Sequence, residues 1–129
     1  MLYANEEPYE HDSVRGIWIY GEPGTGKSHE VRRREKSLYI KQQNKWWDGY
    51  EGEEAVLLDD MDSNCLSHYI KIWADKYACK GEVKGGTIQL KHKRFYVTSN
   101  YTIEELFKDE KLCEAINRRF EVIEWKTSD

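Results

Sequence analysis

The chain has 129 residues, 39% hydrophobic and 13% aromatic, which is enough for one well-filled core and too few for two cooperating enzyme domains. Its mean hydropathy of -0.89 reflects 34% charged residues on a folded domain, so global disorder is excluded, and the longest aliphatic run, Ala55-Val56-Leu57-Leu58, falls far short of the roughly 20 apolar residues that cross a bilayer. The net charge of -4 excludes a general nucleic-acid coat, yet it averages opposite blocks: Asp48, Glu51, Glu53, Glu54, Asp59, Asp60 and Asp62 without a base between them, then Lys80, Lys84, Lys91, Lys93 and Arg94 against Glu82 alone.

In chain order, residues 1–15 read as an acidic lead-in and 16–129 as the working domain. Gly16-Ile17-Trp18-Ile19-Tyr20 is a short buried strand that runs into the glycine-rich Gly21-Glu22-Pro23-Gly24-Thr25-Gly26-Lys27-Ser28, and a helix is expected over Lys27 to Lys36. Leu38 to Lys41 is a second strand, and a polar and aromatic connector leads to the strand Ala55–Leu58, which delivers Asp59-Asp60. Leu66, Tyr69, Ile70 and Trp73 recur at helical spacing, so Leu66 to Tyr77 reads as a helix. Gly85-Gly86 between two β-prone runs predicts a tight hairpin turn. Phe95 to Thr98 is the next strand, ending at Ser99-Asn100; Thr102 with Glu105 forms a capping box that opens a helix to about Asn117, and Phe120 to Trp125 closes the chain as a strand. Strands alternating with helices imply an α/β fold with a mostly parallel sheet of five strands, flanked by helices and carrying one β-hairpin, with ligands at the carboxyl ends of the strands.

Gly21 to Ser28 fits the P-loop pattern G-x-x-x-x-G-K-[ST], and a chance match in a chain of this length is on the order of half a per cent. A strand before it and a helix after it let backbone N–H groups surround a phosphate, which only small residues allow; Lys27 then neutralises terminal phosphate oxygens and the Ser28 hydroxyl ligates Mg2+. The implied cofactors are ATP and Mg2+. Asp59 is placed to hold the metal shell and Asp60 to orient or deprotonate the attacking water. Asn100 would stand beside the γ-phosphate if its strand lies between the P-loop strand and the Asp59 strand, the arrangement of P-loop ATPases with an added strand. Arg118 and Arg119 end a helix, where bases suit its dipole, or serve as an arginine finger for a neighbouring subunit. Trp46 and Trp47 read as packing groups, with stacking on a base as the open alternative. Cys65, Cys79 and Cys113 form no C-x-x-C pair, and Cys65 with His68 has no second ligand pair to complete a metal set.

These motifs, with Asn44-Lys45-Trp46-Trp47-Asp48-Gly49-Tyr50, Lys84-Gly85-Gly86, Thr98-Ser99-Asn100 and Arg119-Phe120-Glu121-Val122-Ile123, resemble the superfamily 3 helicase domain of circovirus-like replication initiators over residues 16 to 126. The resemblance implies an AAA+-like ATPase that assembles as a homo-hexamer, moves 3′ to 5′ on single-stranded DNA and works in the host nucleus, with no membrane partner. It implies Lys27 and Ser28 in the phosphate loop, Asp59 and Asp60 in the second motif, Asn100 as the sensor, and Arg119 in preference to Arg118 as the finger. It places Lys84 and Gly85 on a DNA-following hairpin, with Lys91 and His92 beside it. The family's nuclease histidines and oligomerisation segment do not occur in these residues, so an excised helicase domain, monomeric when isolated, is expected. Two other readings stay open: a small P-loop phosphotransferase, and an ATP-dependent DNA-binding module that does not unwind.

Overall fold

The computed structural model describes residues 10–126; the first nine residues of the acidic lead-in and the last three of the chain lie outside the described residues. The elements are β1 (Gly16–Tyr20), α1 (Lys27–Arg34), β2 (Leu38–Lys41), β3 (Ala55–Leu58), α2 (Ser67–Ala74), β4 (Lys80–Val83), β5 (Gly86–Gln89), β6 (Arg94–Ser99), α3 (Ile103–Leu106), α4 (Glu110–Asn117) and β7 (Phe120–Glu124). Five strands form one sheet in the order β2-β3-β6-β1-β7, and every pairing in it is parallel.

The sequence builds this sheet because its central strands are apolar on both sides. All of β3 is buried, as a strand covered on two faces requires. Alternation along β1 sends Trp18 to one face and Ile19 to the other. Trp18, Val56, Leu58, Phe95 and Val97 pack against Ile70 and Trp73 of α2 and Ile103 and Ile116 of α3 and α4. On the opposite face Ile19, Leu57 and Tyr96 pack on Val31 of α1. Glu35, just past α1, accepts hydrogen bonds from Arg94 Nε and from Tyr96 Oη at 2.6 Å, which pins the end of that helix to β6.

Four details depart from the sequence reading. The helix expected from Thr102 to Asn117 is two helices: the capping box of Thr102 and Glu105 is present, but Phe107 turns extended, and Asp109 caps a new helix by accepting from Leu112 N at 3.2 Å. Phe107 is 1% exposed; the break lets it join the core while a second cap satisfies the new helix start. The helix ending at Ala74 stops early because Arg15 collects carbonyls there. Arg15 Nε donates to Asp75 O at 2.5 Å, and its terminal nitrogens donate to His92 O at 3.1 Å and Tyr77 O at 3.0 Å. Arg15 is therefore 3% exposed, and the stretch from Glu10 to Arg15 is bound to residues 74–77 instead of leading in loosely. Finally, Val83 pairs with Gly86, so the hairpin turn is Lys84-Gly85, one residue earlier than the expected pair. Only Gly85 has a positive φ, 91°, the requirement of a type II turn at its third residue.

Trp47 organises the ground between sheet and hairpin. It is 0% exposed, lies nearly parallel to Tyr39 and His92 at 5.5 Å from each, and meets Trp73 edge-on at 5.2 Å. Gly81 rests against it: a Cβ at that position would stand 2.6 Å from the indole. Lys41, 2% exposed, donates to Gln42 O, Asn44 O and Trp46 O and so holds the connector before Trp47 in a closed loop.

Candidate functional site

At the carboxyl end of β1 the chain turns through Gly24 and Gly26, with φ of 78° and 85°, values that side chains disfavour and glycine accepts. Gly21 is small for another reason: a Cβ there would lie 2.3 Å from Trp125 O. The loop is braced from outside by Trp125 Nε1, which donates to Thr25 O at 2.8 Å, and from within by Thr25 Oγ1 donating to Glu22 O at 2.8 Å. Gly26 caps α1 without a side-chain hydrogen bond, which leaves the first amides of the helix without a capping side chain. Lys27 is 8% exposed, its ammonium donating to Gly21 O at 3.0 Å, Glu22 O at 2.8 Å and Asn100 Oδ1 at 3.3 Å.

The strand order brings the remaining residues to this loop. With β6 between β1 and β3, Asn100 stands between the P-loop and Asp59-Asp60, the condition the sequence reading set for a sensor. Pro23, Gly24, Thr25, Gly26, Lys27, Ser28, Asp59, Asp60, Thr98 and Asn100 line one open cavity of about 370 Å³, within the range of small-molecule sites. Gly21 and Glu22 border an adjoining hollow, closed on its far side by Glu124 and Trp125. Ser28 Oγ accepts from Arg32 Nε at 3.2 Å. Thr98 Oγ1 donates to Asp59 Oδ1 at 2.5 Å and accepts from Asp60 N at 2.9 Å. Among the described residues Asp60 is the one non-glycine residue with positive φ, 54°.

A hydroxyl and a carboxylate in one cavity are hard oxygen donors that suit Mg2+, an ion that takes most of its shell from phosphates and water. Among the described residues no group of three or more His, Cys, Asp or Glu is placed to hold a metal ion.

The arginines lie elsewhere. Arg118 and Arg119 precede β7, whose first residue pairs with Gly16, so they sit at the amino ends of the strands, a sheet length of about 16 Å from the P-loop of their own chain. Arg119 is engaged: its Nε donates to Asp75 Oδ2 at 3.1 Å and its Nη1 to Ala115 O at 2.7 Å. Arg118 is exposed and has no ion pair among the described residues.

Of the hairpin residues, Lys84 and Gly85 form the exposed turn and Lys91 is exposed at the hairpin's base. His92 is a correction: it is 0% exposed, stacked on Trp47, with Nε2 2.8 Å from Trp73 O, and cannot touch a strand of DNA. Burial and the nearby Arg15 charge push its pKa down to about 3, so it is a neutral core residue. The basic block also shrinks, since Arg94 is paired with Glu35 and Lys93 lies 3.7 Å from Glu54. The hairpin is fastened to the aromatic connector by Trp47 N donating to Glu82 O at 2.9 Å, Lys84 N donating to Asp48 Oδ1 at 3.3 Å, and the Lys45–Glu82 ion pair at 3.3 Å. Sequence reasoning passed over Thr98, Arg15, Trp125 and Gln43, whose Nε2 donates to Asp60 O at 3.1 Å. Thr98 alone carried a signal, its place in Thr98-Ser99-Asn100.

A parallel sheet with this strand order, a P-loop after β1, paired carboxylates after β3 and an asparagine on the strand between them define a P-loop NTPase of the added-strand type. The family model described as RNA helicase matches residues 17–103, and the chain belongs to that family. It is 35% identical over 111 residues to the replication-associated protein of Beak and feather disease virus, covering 86% of this chain and 38% of that protein. It is 36% identical over 116 residues to the replication-associated protein of Porcine circovirus 1, covering 85% and 37%. The chain thus spans little more than a third of the length of these relatives. In fold it resembles DnaI, with a TM-score of 0.51 at 13% identity over 97% of this chain and 76% of that one. A Streptococcus pyogenes serotype M3 protein described as a primosome component gives 0.52 at 14% identity, covering 89% and 70%. Among the described residues no helix is long and apolar enough to cross a bilayer.

Proposed function

We propose that this chain is the motor domain of a viral replication initiator, which hydrolyses Mg-ATP at the interfaces of a homo-hexameric ring and moves 3′ to 5′ along single-stranded DNA in the host nucleus. The observation that carries the reading is the seat of Asn100 between Lys27 and the Asp59-Asp60 pair, bonded to the Lys27 ammonium. A phosphotransferase would need an acceptor group beside the γ-phosphate, where this reading seats a water held by Asp60 and Asn100.

Lys27 turns from the loop carbonyls to the β and γ oxygens, a short swing for a flexible ammonium. Ser28 and Asp59 would hold Mg2+, which neutralises charge on the phosphates as it transfers. Asp60 accepts a hydrogen bond from water and aims it at the γ-phosphate, while Asn100 donates its amide N–H to a phosphate oxygen or to that water. Arg118, at the opposite end of the sheet and without an ion pair among the described residues, reaches a γ-phosphate only in another copy of the chain; repeated head to tail with a rotation that closes, that contact makes a ring. Arg119 then braces the segment through Asp75. Lys84 projects from the hairpin toward the DNA backbone and Lys91 supports it electrostatically, so repeated hairpins make a basic channel on acidic subunits.

The test is steady-state ATP hydrolysis over a protein concentration series, with and without single-stranded DNA, and strand displacement by the full-length protein. Turnover per chain that climbs with concentration and DNA supports the motor. Flat, DNA-indifferent turnover favours a self-contained phosphate-transfer domain, and DNA binding without displacement favours the non-unwinding module.

A further inference from the structure

The carboxylates of the site are not positioned by their own strand alone. β3 ends at Leu58, and the chain reverses at Asp60, whose φ of 54° an L residue keeps only where its surroundings hold it. The surroundings here come from β6 on the amide side and from Gln43 on the carbonyl side, whose Nε2 donates to Asp60 O at 3.1 Å. Thr98 is 1% exposed, on a strand paired to β1 on one side and β3 on the other, and its backbone carbonyl accepts from Met61 N at 2.8 Å. Its hydroxyl has one proton to give. That proton goes to Asp59 Oδ1 at 2.5 Å, which leaves the oxygen's lone pairs to accept Asp60 N at 2.9 Å. Ser99 Oγ completes the clamp by donating to Met61 O at 2.6 Å.

From this geometry we propose that Thr98 is a positioning residue for hydrolysis: one hydroxyl sets the plane of the Asp59 carboxylate and the backbone turn that aims Asp60. It acts from the cavity wall through the two carboxylates, its one hydroxyl proton already given to Asp59. With Oδ1 of Asp59 bound to Thr98, Oδ2 is the oxygen left for a cation. With the Asp60 amide bound to the same hydroxyl, the two carboxylates are fixed relative to each other as well as to the sheet. A threonine suits the task better than a serine because its branched Cβ restricts χ1 on a strand. The role rests on the ATPase reading, and the test separates the two.

The comparison is between wild type, Thr98→Val, which keeps the shape and loses the hydroxyl, and Thr98→Ser, which keeps the hydroxyl. Amide hydrogen exchange on the nucleotide-free protein is the first readout. Thr98→Val is expected to raise exchange at Asp60 about tenfold or more while Met61, bonded to the Thr98 carbonyl, changes less than about twofold. The second readout is nucleotide affinity with and without Mg2+, with turnover beside it. Thr98→Val is expected to lose most of the Mg2+ enhancement and about 10²-fold in kcat at unchanged Mg2+-free affinity, and Thr98→Ser to stay within about threefold of wild type. Unchanged Asp60 exchange and Mg2+ dependence in Thr98→Val, or equal damage in both variants, would overturn the role. A wild type that neither binds nor hydrolyses Mg-ATP would instead sink the ATPase reading, while exchange at Asp60 still reports on the clamp.

Discussion

Asn100 Oδ1 accepts a hydrogen bond from Lys27 Nζ at 3.3 Å, linking the residue just past β6 to the lysine that begins α1. The contact spans the two elements flanking the cavity, so Asn100 is built into the phosphate site and not merely near it. On the proposed mechanism, removing the amide takes away a group that acts on the reacting phosphate or water and leaves the P-loop intact. Asn100→Ala is expected to lower kcat by about 10²-fold with nucleotide affinity held within about threefold; Lys27→Ala is expected to lose affinity itself. Equilibrium binding of a fluorescent ATP analogue, set beside turnover, distinguishes the two patterns.

Burial of His92 makes stability depend on pH above the range in which carboxylates titrate as well as within it. In the unfolded chain its imidazole takes a proton near 6.5, whereas in the fold it does so only near 3. Between those values the unfolded state binds more protons, so stability present above pH 6.5 falls as pH drops, by about 4 kcal/mol toward pH 3. Urea unfolding of wild type and His92→Phe at a series of pH values should show a clearly flatter profile for the variant below pH 6.5.

Gly81 tests the seat of the hairpin. An alanine methyl would meet the Trp47 ring at 2.6 Å and a Leu90 methyl at 2.9 Å, and neither can retreat from a filled core. Gly81→Ala is expected to cost about 1–3 kcal/mol and to weaken single-stranded DNA binding more than ATP binding. Thermal melting and the two affinities check both parts.

Lys84 stands exposed at the hairpin turn, its backbone N–H donating to Asp48 Oδ1 and its ammonium without an ion pair among the described residues. Lys84→Ala should leave thermal stability unchanged and reduce DNA affinity, with the slope of log affinity against log salt falling by about one per chain. His92→Phe should leave that salt slope alone, which is the opposite of what an interface histidine would do.

Lys41 holds three backbone carbonyls, and burial lowers its ammonium to about 8. Lys41→Met removes the ammonium that lies 5.4 Å from the Trp47 ring and 5.1 Å from the Trp73 ring and strands those acceptors, and a loss of about 1–3 kcal/mol in chemical unfolding is expected.

Much of this site could be read from the residues because its chemistry is local. A P-loop needs glycines at set intervals and a lysine before a hydroxyl, so Gly24, Gly26, Lys27 and Ser28 announced themselves, and the apolar run before Asp59 marked a strand buried on both faces. Asn100 was legible only as a condition, since strand order is a property of the whole sheet. What escaped is what depends on distant partners. His92 and Lys91 are neighbours in a basic run, yet one is core and the other surface, because Trp47, far away in sequence, supplies a flat face for the imidazole. Arg15 looked like part of a loose acidic leader because the carbonyls it gathers belong to residues 75, 77 and 92. The divided helix after Thr102 was hidden because the strong capping box at its start says nothing about where Phe107 must go.

The most direct test of the central claim, that hydrolysis needs groups from two copies of the chain, is complementation between Lys27→Ala and Arg118→Ala. Each alone should be nearly inactive. Mixed in equal amounts, with single-stranded DNA and at a concentration where wild type is fully active, they should recover about a quarter of wild-type turnover, because one interface in four joins an intact P-loop to an intact arginine. A mixture as inactive as its components, or an Arg118→Ala variant as active as wild type, would contradict a site shared between subunits.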